Sequence, residues 1–312
     1  MSASKFAVNI AGMPWQTPLC LASGNAGFGF ELASIQGFPF DALGAITLKG
    51  TTLAPKAGNP MDRVWETPSG LINSIGLENP GVEHVVEQLL PSAEKTLAPS
   101  LNLIANVCGS TIEEYAQVTA CFNQTNVSAI EVNISCPNVK EGGAAFGNDP
   151  VQSAEVIQAC RAQTTKPLIA KLSPNQTDIA KSAEVCIQAG ADALSAINTL
   201  SAMLIDINQR KPILGGVRGG LSGSAIRPIA LLKVHEVYQV AKQHNIPIIA
   251  QGGISRAEHV IEFFLAGASA CAIGTALALD TQQPKRILKD LNRWLNQQGV
   301  THLSELTGQL TV

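Results

Sequence analysis

The sequence predicts an α/β fold, a single (β/α)8 TIM barrel. Short apolar runs alternate with helical patterns eight times, which points to a parallel sheet wrapped by its own helices. The length, 312 residues, is one that a single barrel commonly reaches. An open doubly wound sheet is the alternative. It is weakened because no Gly-x-Gly-x-x-Gly turn follows the first run. No fixed-period repeat or low-complexity linker appears, so residues 1–312 read as one domain.

The first strand spans about 18–22 and ends in Ala22-Ser23-Gly24-Asn25. The second spans 42–48 and ends in Lys49-Gly50-Thr51. An excursion over 52–98 carries a helix from about 81 to 90. The third strand, 101–107, has Asn106 near its end, and Ser110-x-x-Glu113 reads as a capping box. In the fourth, Ile130, Val132 and Ile134 alternate with Glu131, Asn133 and Ser135, a period of two with one apolar face. Pro137 cannot donate a ladder hydrogen bond, so this strand is expected to stop near Cys136.

A Gly-rich loop over 140–147 forms the excursion after the fourth strand and is placed to close over the thiol. Asp149-Pro150 then supplies a cap and a first-turn proline for a helix over 151–163. The fifth strand, 167–172, holds Lys171. Its helix, 178–189, sets Ile179, Ala183, Cys186 and Ile187 on one stripe, with Gly190 as the stop. The sixth strand, 193–197, ends in Asn198-Thr199 and opens a Gly-rich excursion over 200–225. After a helix over 228–243, the seventh strand (246–250) ends in Gln251-Gly252-Gly253. Ser255-x-x-Glu258 reads as the cap of a helix to 266, and the eighth strand (270–273) ends in Gly274-Thr275. From 282 the tail reads as helix.

Composition bounds the partners. Hydrophobic residues make up 46% and charged residues 14%, against a usual charged share of about 25%. That suggests an ample core and a subunit interface. The net charge is −3, and no Lys/Arg-rich run points to nucleic acid or an anionic membrane. No signal-peptide core opens the chain, and no run reaches the ~18 apolar residues that span a bilayer. The seven cysteines are scattered, with no Cys-x-x-Cys pair, so neither zinc nor an iron–sulfur cluster is expected here. Scattered thiols fit a reducing cytoplasm. Cys20, Cys121, Cys160, Cys186 and Cys271 read as core residues, and the five histidines as surface or packing residues in helices or the tail.

Strand ends are where barrel enzymes keep their chemistry. Gly252-Gly253 and Gly274-Thr275 stand where barrels hold phosphate, with Gly223 as a third contact. A lone Gly pair merely ends a strand; two pairs at the seventh and eighth strands favour phosphate. FMN, sugar phosphates and pyridoxal phosphate all suit such a site. Lys171, among apolar neighbours, suits the flavin and the pyridoxal alike. Asn73, Asn133, Asn138 and Asn198 each offer donors and an acceptor, which suits a ligand edge that presents both N–H and C=O groups. Any one of them also suits a turn, but Asn133 lies within a strand. A lone Cys136 would read as structural. The amides on either side favour a functional thiol.

The words Asn-Ile-Ser-Cys-Pro-Asn-Val-Lys (133–140) and Asn-Ser-Ile-Gly-Leu-Glu-Asn-Pro-Gly (73–81) resemble the class 1 dihydroorotate dehydrogenases. Lys140-x-Gly-Gly-x-x-Phe146-Gly147-x-Asp149-Pro150 resembles their NAD-linked class 1B branch. The resemblance runs from about residue 18 to the C-terminus. It implies one FMN per chain, lined by Ser23, Gly24, Lys49, Gly50, Asn106, Asn133, Lys171, Ile197, Gly223, Gly252, Gly253, Gly274 and Thr275, with Lys171 as the cation near N1/O2. It places Lys49, Asn73, Ser74, Ile75, Gly76, Leu77, Asn133, Asn198 and Thr199 around dihydroorotate, with the amides near 75–77 on its carboxylate. Cys136 is then the base that takes the C5 proton while a hydride passes from C6 to flavin N5, yielding orotate for pyrimidine (UMP) biosynthesis. The pattern departs at Gln251 and Asn25, which puts the packing beside the flavin in question.

Class 1B also implies a partner subunit carrying FAD and a 2Fe–2S cluster on the way to NAD, docked on a homodimer core to make a heterotetramer in the cytoplasm. Class 1A, which reduces fumarate directly, shares the Cys motif. A flavin-binding barrel subunit without catalysis is the third reading.

Overall fold

The computed structural model describes residues 5–135 and 146–311. At its centre eight parallel strands close into a barrel: Leu19–Leu21, Ala45–Thr51, Asn102–Val107, Ala129–Asn133, Leu168–Lys171, Ala193–Ala196, Ile248–Gln251 and Ala270–Ile273. They pair in chain order, and the eighth closes on the first with Ile273 beside Leu21. Helices Ile112–Asn123, Pro150–Arg161, Ile179–Gln188, Arg227–Ala241 and Ala257–Leu265 follow the third to seventh strands and pack side by side outside.

The period of two builds the interior in layers. Cys20, Ala45, Ile104, Ala129, Ile169, Ala193, Ile249 and Ala270, one from each strand, form an apolar bottom. Ile10, Met13 and Trp15 plug it from an N-terminal hairpin, Val8–Ile10 with Met13–Trp15. Two residues further along the third to seventh strands stand Asn106, Glu131, Lys171, Ser195 and Gln251, all buried. Ile130 and Val132, between these positions, join the core under the helices. A strand of a parallel barrel is covered on both faces, so Glu131 is on a buried face too.

Several boundaries differ from expectation, each for a local reason. The fourth strand ends at Asn133, not near Cys136, because Asn133 Oδ1 accepts from the Ser135 amide at 3.2 Å and turns the backbone early. The second strand runs on through Lys49 and Gly50 to Thr51. The cap is one residue later than read: Thr111 accepts from Glu114 N at 3.2 Å, and Glu114 Oε2 accepts from the amide before the cap, Ser110 N, at 2.6 Å. Ser255 is not a cap. Helix Ala257–Leu265 opens at Arg256, and His259 Nδ1 accepts from the Ser255 amide at 3.2 Å. The helix expected to stop near residue 90 continues to Thr96 through a π turn, Val85–Leu89. Pro91 has no N–H and crowds the carbonyl four residues back, and the wider turn admits it.

Cys20, Cys160, Cys186 and Cys271 are core residues as expected, whereas Cys121 is half-buried. Burial pushes the Cys160 and Cys186 thiols up to about 12, which leaves them unreactive. Of the histidines, His244 lies in a turn rather than a helix, and His259 is buried.

The excursions after the second and sixth strands join each other. Val64–Thr67, Gly70–Asn73, Gly219–Ser222 and Leu200–Ala202 form one antiparallel sheet. Most of the excursion after the fourth strand, with Cys136 and Asn138, lies outside the described residues. Among the described residues no helix is long and apolar enough to cross a membrane.

Candidate active site

Strand ends, the Gly-rich turns and the excursion sheet together enclose a cavity of about 840 Å³, within the ~300–1,000 Å³ usual for a small-molecule site. Ser23, Gly24, Lys49, Gly50, Asn106, Asn133, Lys171, Ile197, Gly223, Gly252, Gly253, Gly274 and Thr275 all line it. So do Asn73, Ser74, Ile75, Gly76, Leu77, Asn198 and Thr199. Every residue singled out from the sequence therefore faces one space, except Cys136 and Asn138, which are not described.

At one end the backbone is open for an anion. Gly252 has φ 128° and Gly253 φ 73°. A Cβ on Gly252 would stand 2.6 Å from Ala230 Cβ, and one on Gly253 2.7 Å from Arg227 Cβ. Only glycine fits these positions. Neither amide donates to a described residue. Thr275 Oγ1 donates to Ser222 Oγ at 2.8 Å, tying the eighth strand's turn to the excursion sheet.

The floor is polar. Lys171 is 5% exposed, and its Nζ stands 3.9 Å from Glu131 Oε1. That is an ion-pair distance but too long for a hydrogen bond. No described residue accepts from this ammonium, so its protons are left for a group in the cavity. Asn106 Nδ2 donates to Glu131 Oε1 and Ser195 Oγ to Glu131 Oε2, both at 2.7 Å. Gln251 Nε2 donates to Ser195 Oγ at 2.8 Å. The Gln251 departure thus falls in the polar layer beneath the cavity, and the Asn25 amide donates to Ala22 O at 3.2 Å. Glu131 and Ser195 were not among the expected site residues. Their polar character at alternate positions of apolar strands was the available signal.

On the side wall, Asn198 Nδ2 donates to Asn133 Oδ1 at 3.2 Å, and Tyr115 Oη donates to Asn133 O at 2.7 Å. Asn73 Nδ2 donates to Gly220 O at 3.2 Å, so both excursions hold it. Asn59 Nδ2 donates to Ser74 Oγ at 2.8 Å and to Ser74 O at 3.2 Å. The amides of Ile75, Gly76 and Leu77 donate to no described residue. These residues line the cavity together with Lys49, whose ammonium burial pushes below its ordinary value, against the pull of Glu78. Ser135 Oγ is buried without a partner among the described residues. Such a set suits a planar polar molecule with a carboxylate, next to a larger group with an anionic end.

A family profile described as "Dihydroorotate dehydrogenase" matches residues 5–295. Three relatives each bear the name "Dihydroorotate dehydrogenase B (NAD(+)), catalytic subunit". The one from Pelobacter propionicus is 45% identical over 304 residues, 97% of each chain. The one from Desulforudis audaxviator is 47% identical over 305 residues, again 97% of each chain. The one from Geobacillus kaustophilus is 47% identical over 307 residues, 98% of this chain and 96% of its own.

Proposed function

The chain belongs to the dihydroorotate dehydrogenase family, and on that premise we propose that it is a class 1B catalytic subunit. It oxidises dihydroorotate to orotate for pyrimidine biosynthesis, with FMN and substrate side by side in the one cavity. The observation that carries this reading is the convergence there of a glycine-lined anion end, a buried lysine and a wall of asparagines.

The residues present fit FMN on two counts: Gly252 and Gly253 leave no room for a Cβ where a phosphate needs close approach, and Lys171 has unclaimed donors on the floor. Gly223, Gly252, Gly253, Gly274 and Thr275 hold the phosphate, while Ser23, Gly24, Gly50, Asn106, Asn133, Lys171 and Ile197 hold the ring. When bound, FMN would supply a two-electron acceptor for the substrate, and Lys171 would stand by for the negative charge of its reduced form.

The chain's own residues do the rest. Lys171 supplies a fixed positive charge in a site of low dielectric. Asn73, Asn133 and Asn198, with Thr199, present donors and acceptors to the dihydropyrimidine edges. The amides of residues 75–77 with Ser74 and Lys49 receive the substrate carboxylate. Cys136, outside the described residues, takes the C5 proton onto Sγ. A thiol titrates near ~8.5, close enough to neutrality to serve as a general base.

Class 1B membership adds an electron-transfer partner with FAD and a 2Fe–2S cluster, on a homodimer core. The "catalytic subunit" in the relatives' names supports a partner. No spanning helix is seen among the described residues, and a cytoplasmic site suits the reading. The test is direct. The purified chain is expected to be yellow and to bleach anaerobically on adding dihydroorotate. A chain that takes up FMN and does not bleach sinks the proposal.

A further inference from the structure

None of the roles assigned above explains the carboxylate beside Lys171. Glu131 is 1% exposed and Lys171 5%. Both oxygens of Glu131 are taken at 2.7 Å, Oε1 by the Asn106 amide and Oε2 by the Ser195 hydroxyl. Those donors are neutral, so they satisfy the carboxylate without cancelling its charge. The cation that balances it is Lys171, 3.9 Å from Oε1, and neither residue makes another ion pair among the described residues. The polar layer thus holds one negative and one positive charge, while its other members, Asn106, Ser195 and Gln251, are neutral. Fold stability is a weak reason for such a pair, because apolar residues of similar volume often do as well or better in its place.

We propose that Glu131 sets the reduction potential of the bound flavin: its charge offsets that of Lys171 and keeps the reduced form from being held too tightly. This rests on the reading of the cavity given above, in which Lys171 is the cation beside the ring. An atom hydrogen-bonded to Lys171 Nζ stands ~3 Å from it and so no more than about 7 Å from Glu131 Oε1. At that separation, and an effective dielectric of ~20, two unit charges alter an equilibrium by more than tenfold. Lys171 favours the negative charge of the reduced flavin, and Glu131 opposes it from a fixed place. A lysine alone would draw the electrons in and keep them. The opposed pair lets the flavin accept electrons from the substrate and still release them to the next acceptor.

The test compares Glu131→Gln with Glu131→Asp. Gln removes the charge, fills nearly the same volume and keeps an acceptor for Asn106. Asp keeps the charge and disturbs the packing. Each variant is loaded with FMN, and its midpoint potential is read by spectroelectrochemical titration. The Gln variant is expected about 30 mV or more above the parent, a tenfold shift toward the reduced form for two electrons. The Asp variant is expected to stay nearer the parent than the Gln variant does. An unchanged or lowered potential in the Gln variant overturns the proposal. So does an equal rise in both, because shape and not charge is then the cause.

If the Gln variant does not fold, the double variant Glu131→Gln with Lys171→Ala is compared with Lys171→Ala alone. The double variant lacks both buried charges and is expected to have the higher potential of the two; no rise overturns the proposal. If the parent takes up no FMN, the reading of the cavity fails and takes the proposal with it. If the parent takes up FMN and the Gln variant matches its potential, the reading of the cavity stands and the proposal alone falls.

Discussion

Lys171 Nζ stands 3.9 Å from Glu131 Oε1 inside the barrel, and both side chains are almost wholly buried. The nearer places on that carboxylate belong to Asn106 and Ser195. The lysine is therefore charge-matched from one side, and it also lines the cavity. An ammonium held this way is ready for an anion that forms later, and it does not have to reorganise when the anion appears.

Replacing this lysine tests that arrangement. Lys171→Ala is expected to weaken FMN binding by about 1.5–3 kcal/mol, the worth of a hydrogen bond to a charged group. It also lowers the flavin's reduction potential, because the reduced form loses its partner charge. Spectroelectrochemical titration reads the potential, and a value at or above the parent's contradicts the assignment.

Gly252→Ala addresses the anion end. At φ 128°, with Ala230 Cβ only 2.6 Å from the new Cβ, the substitution is expected to cost about 1–3 kcal/mol of stability and to reduce FMN affinity. Melting curves and fluorescence titration check the two effects. An Ala variant that melts and binds like the parent removes Gly252 from the phosphate site.

Cys136→Ser tests the base. The variant is expected to keep its FMN and to be reduced by dihydroorotate at least ~100-fold more slowly near neutral pH, the usual worth of a general base, because a hydroxyl ionises far less readily than a thiol. Stopped-flow reduction at parental speed takes the role away from Cys136.

His259 gives the stability a pH dependence. Burial pushes its pKa down, and Arg227 and Arg256 add to the effect. Its Nδ1 must stay unprotonated to accept from the Ser255 amide. The unfolded chain therefore takes up a proton near pH ~6.5 that the folded chain refuses, so stability falls as pH drops below that value. A melting series from pH 7.5 to 5.5 is expected to be flatter in His259→Gln; parallel curves for the two proteins refute this.

The electron path is read from acceptors. No group of metal-holding side chains occurs among the described residues. With dihydroorotate, the isolated chain is expected to turn over an artificial dye and to do little with NAD or fumarate. Rapid fumarate reduction moves it to class 1A, and rapid NAD reduction without a partner rules out both routes.

Much of this molecule was legible in one dimension. A period of two marks a strand, a cap with a first-turn proline marks a helix start, and positions 149–150 and 178–190 behaved as read. The residues that line the cavity were legible for a related reason. In a parallel barrel every strand ends on the same face, so residue types at strand ends already amount to a spatial list. What misled was local competition. Asn133 bent its strand early, and Thr111 took the capping place from Ser110.

Partners far apart in the chain were decided only by the closed fold. Periodicity says that Glu131 lies on one face of its strand; it does not say that Asn106 and Ser195 meet it there, 25 and 64 residues away. It gives no hint that Asn73 meets Gly220 across 147 residues, or that an N-terminal hairpin plugs the barrel. The physical reason is that local pattern selects a residue's face and conformation through short-range sterics and burial. The identity of the group opposite depends on how eight strands close on one another, and that is a property of the packed chain as a whole.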